Sequence, residues 1–151
     1  MDAKALAEIY KAAVENALGL KADIDGDNDV IFKHPDLGTF YFSLDAEDDP
    51  EFMRLVFPNF MDDRLTGGDK DKLLALVNAV NMQNKAVKLY MRPDKEDGTM
   101  NVSAAVEFFV AGQDQAPTQE HINAIIKRTV SAVKAGIENL LKQAKTSSDS
   151  F

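Results

Sequence analysis

The sequence predicts an α+β fold, with a single antiparallel sheet of about five strands and three helices in the order α-β-β-β-α-β-β-α. Two observations lead to this prediction. The hydrophobic period switches between 3.6 and 2 residues along the chain, and the predicted strands come in consecutive runs joined by turn signals. Runs of hairpin strands separated by helices are typical of α+β domains and not of doubly wound parallel sheets. The 151 residues fit one domain, which we place at residues 1–145, followed by a flexible polar tail at 146–151.

The pattern of the first half of the chain predicts one helix followed by three strands. Asp2 is the expected N-cap of the first helix, and Gly19 is its expected stop. The segments "VIFKH" and "TFYFSL" alternate with period two and are joined by the turn "HPDLG", which predicts a hairpin. "EFMRLVFPNF" is the expected third strand, ending at Pro58.

The pattern of the second half predicts a helix, two strands and a final helix. Gly68 or Asp69 is expected to cap the second helix, and Asp97-Gly98 forms the tip of a turn between the last two strands. Pro117-Thr118 marks the start of the final helix. The second helix is apolar over more than half of its circumference, so we expect it to cover the sheet or to contact a second copy of the chain.

Charge and composition exclude several functional classes. The net charge of −8 and the pI near 4.7 argue against nucleic-acid binding and against docking on anionic membranes. The chain has no cysteine, which removes thiol chemistry, disulfides and cysteine-based zinc sites. It has no long apolar run and no signal-peptide pattern, so we expect a cytoplasmic protein.

The segment "DIDGDNDV" at residues 23–30 resembles a calcium loop at first sight. An EF-hand loop needs glycine at position 6 and glutamate at position 12, and neither reading frame supplies them. We therefore interpret the segment as a tight turn centred on Gly26. The alternative is a weak divalent-cation site, to which the protein would respond, formed by Asp23, Asp25, Asp27 and Asp29.

Acidic residues continue through residue 51. Such a run is usually a solvated loop edge. The functional alternative is a negative rim that attracts a basic peptide or protein.

No motif in the sequence indicates a particular enzymatic reaction. His34 and His121 are not spaced as a catalytic pair, and the nucleophile, phosphate-loop and dinucleotide motifs are absent from the sequence. We expect no enzymatic activity, no catalytic residue and no cofactor.

Two sets of residues are candidates for binding a partner. Tyr41, Tyr90 and Phe109 fall on the opposite parity from the core residues of their strands, so they are expected to line an exposed sheet surface. Leu73, Val77 and Val80 belong to the broad apolar face of the second helix.

The element order and three long stretches resemble the YbjN-like family and the class I type III secretion chaperones, which share a fold. The stretches are "DGDNDVIFKHPDLGTFYFSL", "LLALVNAVNMQNKAVKLYMRPDKEDGTMNVSAAVEFF" and "TQEHINAIIKRTVSAVKAGIENLL". The middle one carries the paired asparagines Asn78 and Asn81 and is most similar to the YbjN-like proteins.

The resemblance implies a protein-binding module without enzymatic activity. Secretion chaperones of this class are acidic homodimers that hold an unfolded client segment, partly by adding a client strand to the sheet. The YbjN-like family implies a regulatory role. We therefore expect a protein partner or client peptide, with a homodimer as a further expectation and with no nucleic acid and no membrane as partners.

Overall fold

The computed structural model describes residues 1–149 and contains three α-helices and six strands in that part of the chain. In chain order these are α1 (Ala3–Ala13), β1 (Ala22–Ile24), β2 (Val30–His34), β3 (Gly38–Phe42), β4 (Phe52–Asp62), α2 (Lys70–Gln83), β5 (Val87–Pro93), β6 (Met100–Phe109) and α3 (Gln119–Asp149). A π-helical turn, Val14–Leu18, continues α1, and a 3₁₀ turn, Asp63–Thr66, precedes α2.

The six strands form one sheet with the order β1-β2-β3-β4-β6-β5, and every neighbouring pair is antiparallel. The predicted α+β class and order of helices are confirmed. The strand missing from the prediction is β1, which has only three residues. A three-residue strand is too short to display a hydrophobic alternation, so period alone does not reveal it.

The core lies between the helices and one face of the sheet. Alternate residues of the strands point into it, including Phe40, Phe42 and Phe57. Phe32 and Phe40 stack with ring centroids 5.3 Å apart, and Tyr10 of α1 lies 4.9 Å from Phe42. Burial of these aromatic side chains fixes α1 against the β2–β3 hairpin.

The predicted helix ends are confirmed by their capping bonds. The Asp2 carboxylate accepts a hydrogen bond from the Lys4 amide, and the Asp69 carboxylate accepts one from the Lys72 amide. Asp69, and not Gly68, is therefore the cap of α2. At Gly19 the backbone is left-handed, with φ of 68°, as a helix-ending glycine requires.

Pro58 does not end the third predicted strand, because β4 continues to Asp62. The register against β6 shifts between Phe57 and Met61, so Pro58 sits in a bulge where it has no ladder bond to donate. The Ser103 hydroxyl accepts a hydrogen bond from the Asn59 amide at 2.8 Å and stabilises the bulge. The predicted third strand is therefore longer than expected and continues through the bulge as one strand to Asp62.

Helix α3 approaches the sheet closely at Gly136. A methyl group built on this glycine would lie 2.8 Å and 3.2 Å from the two methyl carbons of Val87. The glycine thus allows the helix backbone to pass directly over β5.

Helix α3 is also longer than expected at its C-terminal end. Residues 146–149, part of the predicted flexible tail, lie within the helix. Ser150 and Phe151, the rest of that tail, lie outside the described residues.

One polar atom in the core has no partner among the described residues. The Tyr10 hydroxyl is buried without a hydrogen bond, and burial raises the pKa of this hydroxyl above its usual value. An unpaired buried hydroxyl is destabilising.

We expect Tyr10→Phe to raise the free energy of unfolding by about 1 kcal/mol, because it removes the unpaired hydroxyl and keeps the ring against Phe42. Urea unfolding of both proteins measures this difference. Tyr10→Leu is the control, since it also removes the hydroxyl but loses the ring contact. A loss of stability in Tyr10→Phe would show that the hydroxyl has a partner in solution.

Candidate functional site

One face of the sheet is not covered by the helices, and we call it the helix-free face. The strand registers align one residue from each strand in a row across this face: Asp23, Ile31, Tyr41, Val56, Ala105 and Lys88. Val56 and Ala105, at the centre of the row, are buried although they lie outside the core cluster between sheet and helices. Larger side chains on the same face therefore shield them from water.

Tyr41 and Tyr90 are the aromatic residues nearest to that buried centre in the register. Tyr41 pairs with Val56, and Tyr90 lies opposite Ser103, two residues along β6 from Ala105. Both tyrosines are half-buried. Burial raises the pKa of the Tyr41 hydroxyl, the proximity of Tyr90 raises it further, and Arg54 opposes the shift. Tyr41 thus presents a neutral hydroxyl and part of an apolar ring to any partner.

A three-residue ion network lies beside the tyrosines. Glu107 Oε1 lies 3.0 Å from Lys88 Nζ and 3.2 Å from Arg54 Nε, so one carboxylate joins β4, β6 and β5. Arg54 Nε is buried and is not aligned for a hydrogen bond to that carboxylate. The network places charged groups at fixed positions around an apolar centre.

Phe109 also lies on the helix-free face, at the end of β6. It is 73% exposed, and its ring is 5.5 Å from that of Phe52 in an edge-on contact. The structure therefore places Tyr41, Tyr90 and Phe109 on the face that the alternation predicted. The two tyrosines lie close to the buried pair Val56 and Ala105, whereas Phe109 lies at the end of β6, at the edge of this face.

The three candidates of the second helix have a different environment. Leu73, Val77 and Val80 are buried in the core, where α2 covers the sheet. They do not form an exposed binding surface, because the chain itself occupies their apolar face. The large apolar residues of α2 that are exposed are Leu74, at 57%, and Met82, at 78%.

The edge strand β5 is covered by a side chain of α2. The Asn81 amide donates to the Leu89 carbonyl at 3.0 Å, and its oxygen accepts from the Leu89 amide at 2.8 Å. Both outward backbone groups of Leu89 are thus occupied. The Val87 amide donates to the Lys85 carbonyl, and Pro93 has no amide hydrogen. A partner strand would therefore find few free groups along this edge.

The opposite edge of the sheet is β1, which has only three residues. Its sequence neighbours Lys21 and Asp25 flank it, and Asp23 faces the same side as Tyr41 in the row described above. A short edge strand limits the length of any added strand.

The aspartate-rich segment forms the tight turn between β1 and β2. The Asp25 carboxylate accepts hydrogen bonds from the amides of Asp27 and Asp29, at 2.9 Å and 3.0 Å. The Asn28 amide donates to the Asp25 carbonyl at 3.1 Å, so Gly26 and Asp27 are the central residues of the turn, as expected. The residue with left-handed backbone is Asn28, with φ of 62°. Asparagine adopts this conformation more readily than other residues with a side chain.

The four aspartates of this segment do not converge. Asp29 accepts a hydrogen bond from the Leu44 amide at 2.9 Å, whereas Asp23 lies on β1. Among the side chains that the structure describes, those of residues 1–147, no group of three or more histidine, aspartate or glutamate side chains is arranged to hold a metal ion. The geometry therefore gives no support to the cation-site alternative.

The acidic run is divided between the two ends of the sheet. The bond from Leu44 to Asp29 joins the β1–β2 turn to the β3–β4 loop, and Asp27, Asp45 and Glu47 line one cleft there. Asp36 lies in the β2–β3 turn, at the other end of that hairpin. One end of the sheet is thus strongly acidic, but it does not include every carboxylate of the run.

We expect Asp49→Asn to raise the melting temperature at pH 7. Desolvation and the neighbouring carboxylates of Glu51 and Asp45 raise the pKa of Asp49, so the folded state disfavours its charged form. A raised carboxylate pKa makes stability fall as pH rises from about 3.9, the usual value, through the folded-state pKa.

The gain from Asp49→Asn should therefore vanish near pH 3, where the wild-type carboxyl is neutral in both states. Thermal melts across pH 3–7 test this, with the exposed Asp71→Asn as the control. An equal gain at both pH values would refute electrostatic repulsion as the cause.

Three structural features could not be predicted from local sequence patterns. The Glu107 network joins residues from three strands, and the edge cover joins Asn81 to a residue eight positions later. Asn78 and Asn81 both belong to the stretch that resembles the YbjN-like proteins, but of the two only Asn81 makes hydrogen bonds to the backbone of Leu89. The third feature, a cavity beside α3, is lined by three separate segments.

Comparisons with known proteins bear on the fold. No protein-family model and no curated protein matches the sequence. Within the described part of the chain, no helix combines the length and apolarity needed to cross a membrane. The crystal structure of YbjN, a proposed transcription regulator from E. coli, matches with a TM-score of 0.63 at 11% sequence identity, over 93% of this chain and 92% of that one. The chain therefore has a YbjN-like fold, as the resemblance of its sequence led us to expect.

Proposed function

We propose that this chain is a non-enzymatic protein-binding module, chaperone-like or regulatory in role, that holds a partner segment on the helix-free face around Tyr41 and Tyr90. The observation that carries the proposal is the composition of this face. Half-buried aromatic rings surround the buried pair Val56 and Ala105, and fixed charges lie beside them. Aromatic residues and arginine over a small apolar centre are typical of binding hot spots.

The partner segment would enter from the β1 side of the sheet. Asn81 occupies the outward groups of Leu89 on β5, whereas no side chain of residues 1–147 makes an equivalent hydrogen bond to the backbone of β1. Strand addition at β1 would involve few residues, so contacts with the face itself would supply most of the affinity. The aspartates near this edge favour a basic segment over an acidic one.

The likeness to YbjN, a proposed regulator, is compatible with a regulatory binding role. We further propose a cytoplasmic protein that binds neither nucleic acid nor membrane, since its net charge of −8 repels phosphate groups. The exposed Leu74 and Met82 of α2 are the proposed contact of a homodimer. Sedimentation that shows only monomer at all accessible concentrations would contradict the dimer.

A capture experiment with two matched variants tests the proposed face. The first variant, Tyr41→Ser with Tyr90→Ser, removes both rings from the helix-free face. The second, Leu74→Ser with Met82→Ser, removes two exposed apolar side chains from α2. We expect a defined protein from the native cell to be retained by the wild type and the second variant and lost with the first.

Circular dichroism and thermal melts establish that both variants are folded before capture. Tyr41→Phe with Tyr90→Phe removes only the hydroxyl groups and should keep most of the binding if the ring faces dominate. Retention that does not change in the first variant would place the partner elsewhere and would refute the proposal.

A further inference from the structure

A cavity of about 340 Å³ lies where three segments meet: the end of the first helix, the β2–β3 turn and the middle of α3. We call it the α3 cavity. Its volume is at the lower end of the range for small-molecule sites. It lies away from the tyrosines, because its strand contribution comes from the turn that follows His34.

The walls of the α3 cavity are mainly aliphatic. Leu18 and Leu20 come from the end of the first helix and the residue after Gly19, Leu37 comes from the β2–β3 turn, and Val130 comes from α3. The π-helical turn and the left-handed Gly19 carry Leu18 and Leu20 to this position. The leucines are only half-buried, so apolar surface in the cavity remains accessible to a ligand.

The charged groups of the cavity are two ammonium groups and one carboxylate. Lys127 and Lys134 lie seven residues apart on α3, which places them on the same side of the helix about 10 Å apart along its axis. Asp36 lies on the opposite wall. Among the described side chains, residues 1–147, no carboxylate forms an ion pair with either lysine. The cavity therefore carries a single net positive charge in a protein whose net charge is −8.

Two other polar side chains of the cavity, Ser131 and His34, make hydrogen bonds within the protein. The Ser131 hydroxyl donates to the Arg128 carbonyl and accepts from the Arg128 guanidinium. His34 Nδ1 accepts a hydrogen bond from the Asp36 amide. The His34 Nε2–H group therefore remains a neutral donor, and the two lysines are the charged groups with donors available to an anion.

We propose that the α3 cavity binds a small amphipathic monoanion, an organic carboxylate with a short aliphatic body. The aliphatic part packs against Leu18, Leu37 and Val130, and the carboxylate lies between Lys127 and Lys134. A single net positive charge matches one negative charge, and the Asp36 carboxylate disfavours a second one. The overall negative charge of the protein does not prevent this, because salt screens charges beyond about 8–10 Å.

A titration with four matched compounds tests the proposal. Octanoate carries both the charge and the aliphatic body, 1-octanol lacks the charge, acetate lacks the body, and octylammonium reverses the charge. Binding is followed by amide chemical shifts in NMR spectra of the full chain. We expect saturable shifts with octanoate that map to residues around Leu18, Leu37 and Val130, and we expect weaker or no binding with the other three compounds.

Two double variants separate the cavity lysines from the general charge of α3. Lys127→Met with Lys134→Met keeps the aliphatic stems and removes both charges, and it should weaken octanoate binding by about tenfold or more. Lys142→Met with Lys145→Met makes the same charge change further along the helix and should have little effect. If octanoate does not saturate, or if both variants bind it equally, the proposal is overturned.

This inference does not depend on the proposed function. The α3 cavity and the helix-free face share no lining residue, so the tyrosine variants of the capture experiment should bind octanoate as the wild type does.

Discussion

Replacing Asn81 by alanine is expected to lower the free energy of unfolding by about 2 kcal/mol and to make the protein self-associate. Asn81 makes two hydrogen bonds to the backbone of Leu89, and each contributes about 1 kcal/mol. Without them, an amide and a carbonyl of an edge strand become free to pair with another chain. Urea unfolding measures the stability, and sedimentation measures the association.

Asn78→Ala is the matched control for this prediction. Asn78 lies one helical turn earlier on α2, is exposed, and donates a hydrogen bond to the Met82 sulfur at 3.5 Å. Its replacement should leave both stability and association nearly unchanged. Equal effects of the two substitutions would show that the bonds to Leu89 contribute nothing in solution.

Replacing Gly136 by alanine is expected to cost about 2 kcal/mol of stability, although alanine is the better helix former by about 1 kcal/mol. The added methyl would lie within 3.2 Å of both methyl carbons of Val87. Val87 is buried on β5 and is branched at its β carbon, so it has little freedom to move away.

A double-mutant cycle identifies the cause. Val87→Ala alone should destabilise the protein by leaving a void, and the double variant should lose much less than the sum of the two single losses. Ala135→Gly, at the exposed neighbouring position, measures the difference in helix propensity between alanine and glycine where there is no contact with Val87. Additive losses in the cycle would mean that Gly136 and Val87 do not interact.

Local patterns in the sequence were sufficient for the order of helices and hairpins. The ends of the helices are determined by hydrogen bonds and backbone angles within a few residues, at Asp2, Asp69 and Gly19. Such short-range interactions can be predicted directly from the sequence. The alternation of β3 and β6 also assigned Tyr41 and Phe109 to the face opposite the core. That assignment depends only on the two-residue period of the strands. The helices cover one face of the sheet, so every second residue of a strand faces away from them.

The features that were missed depend on long-range contacts or on very short segments. The strand β1 pairs with β2 across a turn, but its three residues carry no pattern of their own. The strand β4 continues past Pro58 because its register against β6 shifts there, in a bulge between Phe57 and Met61. Leu73 and Leu74 are adjacent and equally apolar, and only the position of the sheet decides that the first is buried and the second exposed.

The cover of β5 by Asn81 also limits the stoichiometry of any assembly built through the sheet. A sheet with two open edges can add partners at both and grow into a filament, whereas a sheet with one usable edge stops after a single addition. Two copies joined through β1 would form a closed, symmetric pair with no edge left for a third. A partner strand that occupies β1 would exclude that pairing, so the two assemblies would compete for one edge.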